Sequence, residues 1–297
     1  MLDLIDLDVD ALGYKKFISA WLYREEGETF LVDPGPACTV DHLLAELERR
    51  GVDHLDWIFL THIHMDHSGG IGHVMERFPK ARVICHEKAV DHLIDPTRLW
   101  EGSLKILGDV ARVYGAIKPV HANNILTPRD LSTIPVGGGF QVIATPGHAA
   151  HHQSFVGKDL VFCGEIFGIF YQMENDIYLR PATPPVFVLA DFLSSMTAMA
   201  PYMNRRICFA HYGWSREGEK ILEMARRQIQ TWVRVIEGFV ENPNIPRILD
   251  ALTENDPVFA RRSRLPADLR DRENYFSGNS IRGILQYLQK KREGAAG

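Results

Sequence analysis

The sequence predicts an α/β chain, a strand-rich body interleaved with helices and closed by a helical tail. Three observations carry that reading. Short apolar, β-rich runs at residues 57–60, 141–144, 160–163 and 206–210 each lead to a side chain able to bind a metal. Stretches with apolar residues at helical spacing, 40–50, 71–78 and 87–115, separate the early strands. From Trp214 onward the pattern is helical almost throughout. With 297 residues, 45% of them hydrophobic, the chain can bury a large core, and the change of pattern divides it into residues 1–214 and 215–297.

Taken in order, residues 1–33 read as a meander, with strands at 2–8, 17–23 and 29–32 and a turn at Glu25-Glu26-Gly27-Glu28. Asp33-Pro34-Gly35 closes the third strand. Its carboxylate reads equally as turn chemistry and as the partner that fixes the tautomer of a metal-bound histidine. A helix over 40–50 is expected to start at Thr39 as N-cap and to stop at Gly51. Beyond residue 70 come a helix near 71–78, a strand at 82–85 and a mostly helical stretch to 115, in which His86 and His92 lack partners at ligand spacing. Residues 131–135 and 140–145 return to strand character, and 154–156 follows. In the tail the expected helices are 217–239, 245–252 and 280–292, the last with Asn279 as N-cap, separated by Pro243, Pro246, Pro257 and Pro266.

Composition excludes several partners. A net charge of -5 gives no general attraction to nucleic acid or to an anionic membrane, and no apolar run is long enough to span a bilayer. Residues 258–297 carry nine Lys or Arg against four Asp or Glu, a local excess that suits either an anionic substrate or a solvated helical face. Cys38, Cys85, Cys163 and Cys208 are dispersed with no C-x-x-C pair, against a disulfide framework or a thiolate zinc site. The first residues alternate apolar with acidic and have no basic n-region, so a strand in a cytoplasmic protein is expected there.

The chemistry centres on Thr61-His62-Ile63-His64-Met65-Asp66-His67-Ser68-Gly69-Gly70. If the backbone stays extended past Leu60, period 2 puts His62 and His64 on the same side, ready to share one cation. Asp66 and His67 are neighbours that can point in different directions, so one of them can serve a second ion. Three later strand ends add donors. Thr145-Pro146-Gly147-His148 presents His148 on a Pro-Gly turn, with His151 and His152 expected to point away at the start of the next strand. Gly164-Glu165 presents a carboxylate beside a glycine that permits close backbone approach, and residues 206–210 lead into His211.

Together these residues resemble the metallo-β-lactamase fold superfamily, whose mark is an H-x-H-x-D-H run followed by a distant His, a carboxylate and a last His. The resemblance covers roughly residues 1–214. It implies a four-layer αββα sandwich with a C-terminal helical extension and two metals in the cleft between the sheets. His62, His64 and His148 look like ligands of the first metal, and Asp66, His67 and His211 like ligands of the second. Glu165 falls where the family usually has a bridging aspartate. A set of imidazoles and carboxylates without thiolate suits two divalent ions, zinc first, with iron or manganese as alternatives. Such a pair, about 3.5–4 Å apart, would lower the pKa of a bridging water towards roughly 7. The implied enzyme is a dinuclear hydrolase of a small thioester or ester, with the bridging hydroxide as nucleophile oriented by Asp66.

The helical extension is similar in placement to that of glyoxalase II, the family's thioesterase branch, where it helps bind the anionic thiol portion of the substrate. Arg261, Arg262, Arg264 and Lys290 are the candidates for that role here. Two other readings stand beside this one: an iron-dependent redox enzyme with a di-iron or mono-iron site on the same fold, and a metal-containing ligand-binding protein with little turnover. For the last, residues 166–178, with Phe167, Phe170, Tyr171 and Met173, would line an apolar pocket, or else form core or a homodimer contact.

Overall fold

The computed structural model describes residues 1–127, 133–134 and 139–295. The chain forms two compact units, residues 1–144 with 151–164 and residues 145–150 with 165–297. Their boundaries fall at 144/145, 150/151 and 164/165, where sequence pattern divides the chain at 214/215.

In the first unit, strands β1 (Leu2–Val9), β2 (Tyr14–Glu25) and β3 (Glu28–Val32) form the antiparallel meander. Along β1 the alternation buries Ile5, Leu7 and Val9 and leaves the acidic residues between them less covered. Helix α1 (Val40–Arg49) follows. Thr39 does not cap it: the Thr39 hydroxyl instead donates to the Pro36 carbonyl at 2.9 Å, and Thr39 is itself in helical backbone. Then β4 (Trp57–Phe59) lies parallel to β3. Helices α2 (Met65–Ser68) and α3 (Ile71–Arg77) carry the chain to β5 (Arg82–Ile84), which is parallel to β4. Helices α4 (Val90–Ile94), α5 (Thr97–Leu107) and α6 (Asp109–Tyr114) make up the helical stretch, and β6 (Ile125–Leu126) closes the sheet in the order β1-β2-β3-β4-β5-β6. His86 accepts a hydrogen bond from the Lys88 amide, a local structural role.

A second sheet in this unit runs β7 (Thr133–Ile134), β8 (Phe140–Ala144), β9 (Gln153–Val156) and β10 (Leu160–Phe162), each antiparallel to the next. The other residues of the strand expected at 131–135 lie outside the described ones. Aromatic rings join the two sheets. Phe59 stacks on Phe155 at 4.4 Å between centroids, and Phe140 meets Phe59 edge-on at 5.2 Å and Phe30 at 5.6 Å. This aromatic core fixes the far end of β4, from which the histidine run emerges.

In the second unit, β11 (Ile169–Gln172) and β12 (Ile177–Arg180) form an antiparallel hairpin. Most of residues 166–178 thus fall in this hairpin, and Phe167, Phe170 and Tyr171 are core: Phe170 stacks on Phe209 at 4.4 Å. Helix α7 (Leu189–Met199), strands β13 (Arg206–Cys208) and β14 (Trp214–Ser215), and helices α8 (Gly218–Glu237), α9 (Ile245–Asn255), α10 (Pro257–Ala260) and α11 (Ala267–Ala295) complete it. The last helix begins well before Asn279, whose side chain accepts from Arg282 at 3.0 Å within the helix instead of capping it. The apolar period starts only at Ile281, because the buried positions upstream include Arg272, Glu273, Ser277 and Ser280. Among the described residues no helix is long and apolar enough to cross a membrane.

Three basic residues of the tail make structural contacts. Arg261 donates to the Ile177 carbonyl at 2.6 Å and pairs with Asp176 at 2.7 Å, Arg264 pairs with Asp176 at 3.1 Å, and Arg262 lies over the Phe259 ring. These contacts hold α10 and the turn after it against the hairpin.

Candidate metal centre

Each unit carries part of the expected ligand set: His62, His64, Asp66 and His67 in the first, His148, Glu165 and His211 in the second. Ligand atoms of the pairs His62–His64, Asp66–His67 and His148–Glu165 lie within 4.8 Å of each other.

In the first unit, the chain leaves β4 without regular structure and turns helical only at Met65. His64 is still extended (φ -60°, ψ 148°), and the His62 and His64 rings lie 4.7 Å apart, as the period-2 argument requires. His67 sits on α2, its ring 4.1 Å from that of His62. The buried Asp33 governs this cluster. One oxygen accepts from the Thr61 amide at 2.8 Å, and the other accepts from the Thr61 hydroxyl at 2.7 Å and faces His67 Nδ1 at 3.2 Å.

These contacts decide tautomers. An ionised carboxylate only accepts, so His67 carries its proton on Nδ1 and presents the lone pair of Nε2. Thr61 has a single hydroxyl proton, given to Asp33, so towards His62 Nδ1, 3.1 Å away, it can only accept. His62 therefore also presents Nε2. The Asp33 contact realises the tautomer-fixing reading over mere turn chemistry, and Thr61 is a supporting residue that sequence reasoning missed. Its signal was a hydroxyl placed immediately before the first histidine.

His151 and His152 do not point away. The His152 ring is buried 5.2 Å from that of His62, and His151 lies 5.7 Å from His64 and 6.3 Å from His62. Gly164 makes room for His152: its φ is +56°, and a Cβ there would stand 2.3 Å from His152 Nε2.

In the second unit, His148 Nδ1 lies 2.9 Å from the Ala182 carbonyl, which can only accept, so in the neutral ring Nε2 again holds the lone pair. That atom faces Glu165 Oε2 at 2.8 Å, while the other oxygen of Glu165 faces His211 Nε2 at 3.9 Å. An imidazole nitrogen set against a carboxylate oxygen is favourable with either a proton or a metal cation between them. All three residues are buried. The donor chemistry therefore fits a divalent metal, with Glu165 offering one oxygen to each imidazole.

The chain belongs to the metallo-β-lactamase superfamily, whose family model matches residues 13–211. A metallo-beta-lactamase fold-containing protein of Sulfurisphaera tokodaii is 30% identical over 205 residues, 67% of this chain and 74% of its own length. A hydroxyacylglutathione hydrolase of Aeromonas hydrophila is 30% identical over 145 residues, 49% of this chain and 44% of that enzyme, so the match spans less than half of it. Among solved structures, an archaeal metallo-beta-lactamase superfamily protein from Sulfolobus tokodaii aligns with a TM-score of 0.69 at 22% identity, covering 97% of this chain and 98% of that one. The α/β metallo-β-lactamase fold with a C-terminal helical region is thereby shown.

Proposed function

We propose that the protein is a dinuclear metal-dependent hydrolase of a small thioester or ester. The observation that carries the proposal is the buried Glu165 carboxylate, which turns one oxygen to His148 and the other to His211, as a group shared by two ions would. The superfamily membership and the hydroxyacylglutathione hydrolase relatives support it. In this reading His62, His64 and His148 would hold one ion, Asp66, His67 and His211 would hold the other, and Glu165 would be available to both.

Bound divalent ions, zinc first among them, supply an ionised water near neutral pH and polarise the acyl oxygen of the substrate. The chain's own residues do the rest. Asp66, partly exposed beside His67, accepts a hydrogen bond from the attacking water and aims it at the acyl carbon. Asp33, Thr61 and the Ala182 carbonyl keep the Nδ1 protons of His67, His62 and His148 in place, so each ring arrives in the right tautomer. Purified protein, stripped with chelator and then reloaded with zinc, iron or manganese, is to be assayed on acyl thioesters, esters, lactones and phosphodiesters. Restored thioester or ester cleavage is expected; turnover that ignores the chelator, or metal-dependent cleavage of phosphodiesters alone, contradicts the proposal.

A further inference from the structure

The segment after β12, Arg180-Pro181-Ala182-Thr183-Pro184, lies between the last helix and His148, and every contact described below is within the second unit. We propose that α11 is a positioning element for the candidate ligand His148, acting through Ser280 and the Ala182 carbonyl. The proposal rests on the reading of His148 as a metal ligand given above.

Ser280 is saturated by this segment. Its hydroxyl donates to the Pro181 carbonyl at 3.0 Å and accepts from Arg180 Nη1 at 3.0 Å and from the Thr183 amide at 3.3 Å, one donor and two acceptors all used. Its backbone carbonyl accepts from the Thr183 hydroxyl at 3.0 Å. The segment is thus gripped on both sides of Ala182. One turn further on, Gly283 lets the helix approach: a Cβ there would stand 2.0 Å from the Thr183 carbonyl oxygen. Two turns before Ser280, Glu273 accepts from Arg180 Nε at 2.6 Å and from the Tyr178 hydroxyl at 2.9 Å.

The segment has little freedom of its own. Pro181 and Pro184 fix φ at two of its five positions, so the direction of the Ala182 carbonyl is set by how the helix seats its neighbours. That carbonyl receives the Nδ1 proton of His148 at 2.9 Å and so turns Nε2 towards Glu165. The guanidinium of Arg180, held by the helix, also feels the Glu165 carboxylate electrostatically. His148 is therefore tied to α11 through the Ala182 carbonyl. Hydrogen-bond partners of metal ligands typically govern affinity by about 10–100-fold, and a helix that aims such a partner governs part of it.

The test is zinc affinity by chelator competition, with thermal unfolding alongside, on the full chain and four variants. Ser280→Ala and Gly283→Ala are expected to weaken zinc binding by about tenfold, at the low end of that range. Ser280→Thr, which keeps the hydroxyl, is expected to restore most of it. Leu252→Ala, which opens a cavity in α9, an element that makes none of the contacts described above, is expected to lower the unfolding temperature and leave zinc affinity within about twofold. Zinc affinity unchanged in Ser280→Ala overturns the proposal, as does an equal loss in Leu252→Ala, which would mark a general effect of destabilisation. A wild-type chain that binds no zinc, iron or manganese overturns the metal reading and this proposal with it; a wild-type chain that binds metal while Ser280→Ala is unaffected overturns this proposal alone.

Discussion

Asp33 is the residue on which the first unit's histidines most depend. It is buried, it holds φ at +50° although it is not glycine, and its two oxygens are shared among the Thr61 amide, the Thr61 hydroxyl and His67. Such a conformation persists only where the surroundings impose it. Asp33→Asn brings an amide donor where three donors already converge. It is expected to weaken metal binding by about 10–100-fold, read by chelator competition; unchanged affinity would show that the histidines are oriented without it. Thr61→Val is expected to act on His62 in the same direction, since it removes the hydroxyl that accepts from Nδ1.

Much at this scale was legible in the sequence. The spacing His62-x-His64 was enough to put two rings side by side, and strand ends were enough to nominate His148, Glu165 and His211. The partners that fix tautomers were harder to read. Asp33 left a trace as a carboxylate at a strand end, whereas Ala182 contributes a carbonyl that any residue would supply. The cysteines give a separate check. Cys85, Cys163 and Cys208 are buried, and burial pushes the Cys85 thiol up to about 12, while Cys38 is exposed. A thiol reagent at pH 8 is expected to label one cysteine in the folded protein and four after denaturation. Rapid labelling of more than one would contradict the packing described.

At the scale of elements, the instructive misreading concerns α11. A helix is recognised in sequence by an apolar stripe, yet the first half of α11 buries Arg272, Glu273, Ser277 and Ser280. Arg272, Glu273 and Ser280 are tolerated because the hairpin supplies partners: Arg180 and Tyr178 for Glu273, Tyr171 for Arg272, and the 180–183 segment for Ser280. Polar residues that satisfy one another across a contact leave no periodic signal. Residues 166–178 were obscure for the converse reason, since their apolar side chains fit a pocket wall as well as a core.

The Arg180–Glu273 pair also makes a pH-dependent contribution. Burial alone would raise the Glu273 pKa, but Arg180, with Arg272 and the Tyr178 hydroxyl, outweighs it and holds the carboxyl below its ordinary 4.5. A folded pKa below the unfolded one means stability that is present above about pH 4.5 and lost as pH falls through the folded value. Glu273→Leu leaves the Arg180 charge buried without its partner and is expected to cost about 3–5 kcal/mol at pH 7. Urea unfolding of both proteins should show that difference shrinking below pH 4.5; a difference that does not change with pH would remove Glu273 ionisation from the account.

At the scale of the molecule, the α/β class and the helical tail were readable because each rests on local periodicity. The division into units was not. Residues 165–214 look in sequence like a continuation of the strand-rich body, but they pack with the tail helices in the second unit. What joins them is contact between the 169–180 hairpin and helices 49 to 100 residues further on, and no local pattern encodes contacts of that range. Of the proposed ligands, four lie in the first unit and three in the second.

The most direct test of the central claim is a single titration. Metal-free protein receives zinc in steps, and cleavage of an acyl thioester is followed against the metal bound per chain. The proposal predicts no cleavage without metal and activity that rises until two ions are bound, with Glu165→Ala stopping short of both. Cleavage by the metal-free chain, or a chain that binds two ions and cleaves neither thioester nor ester, would contradict it.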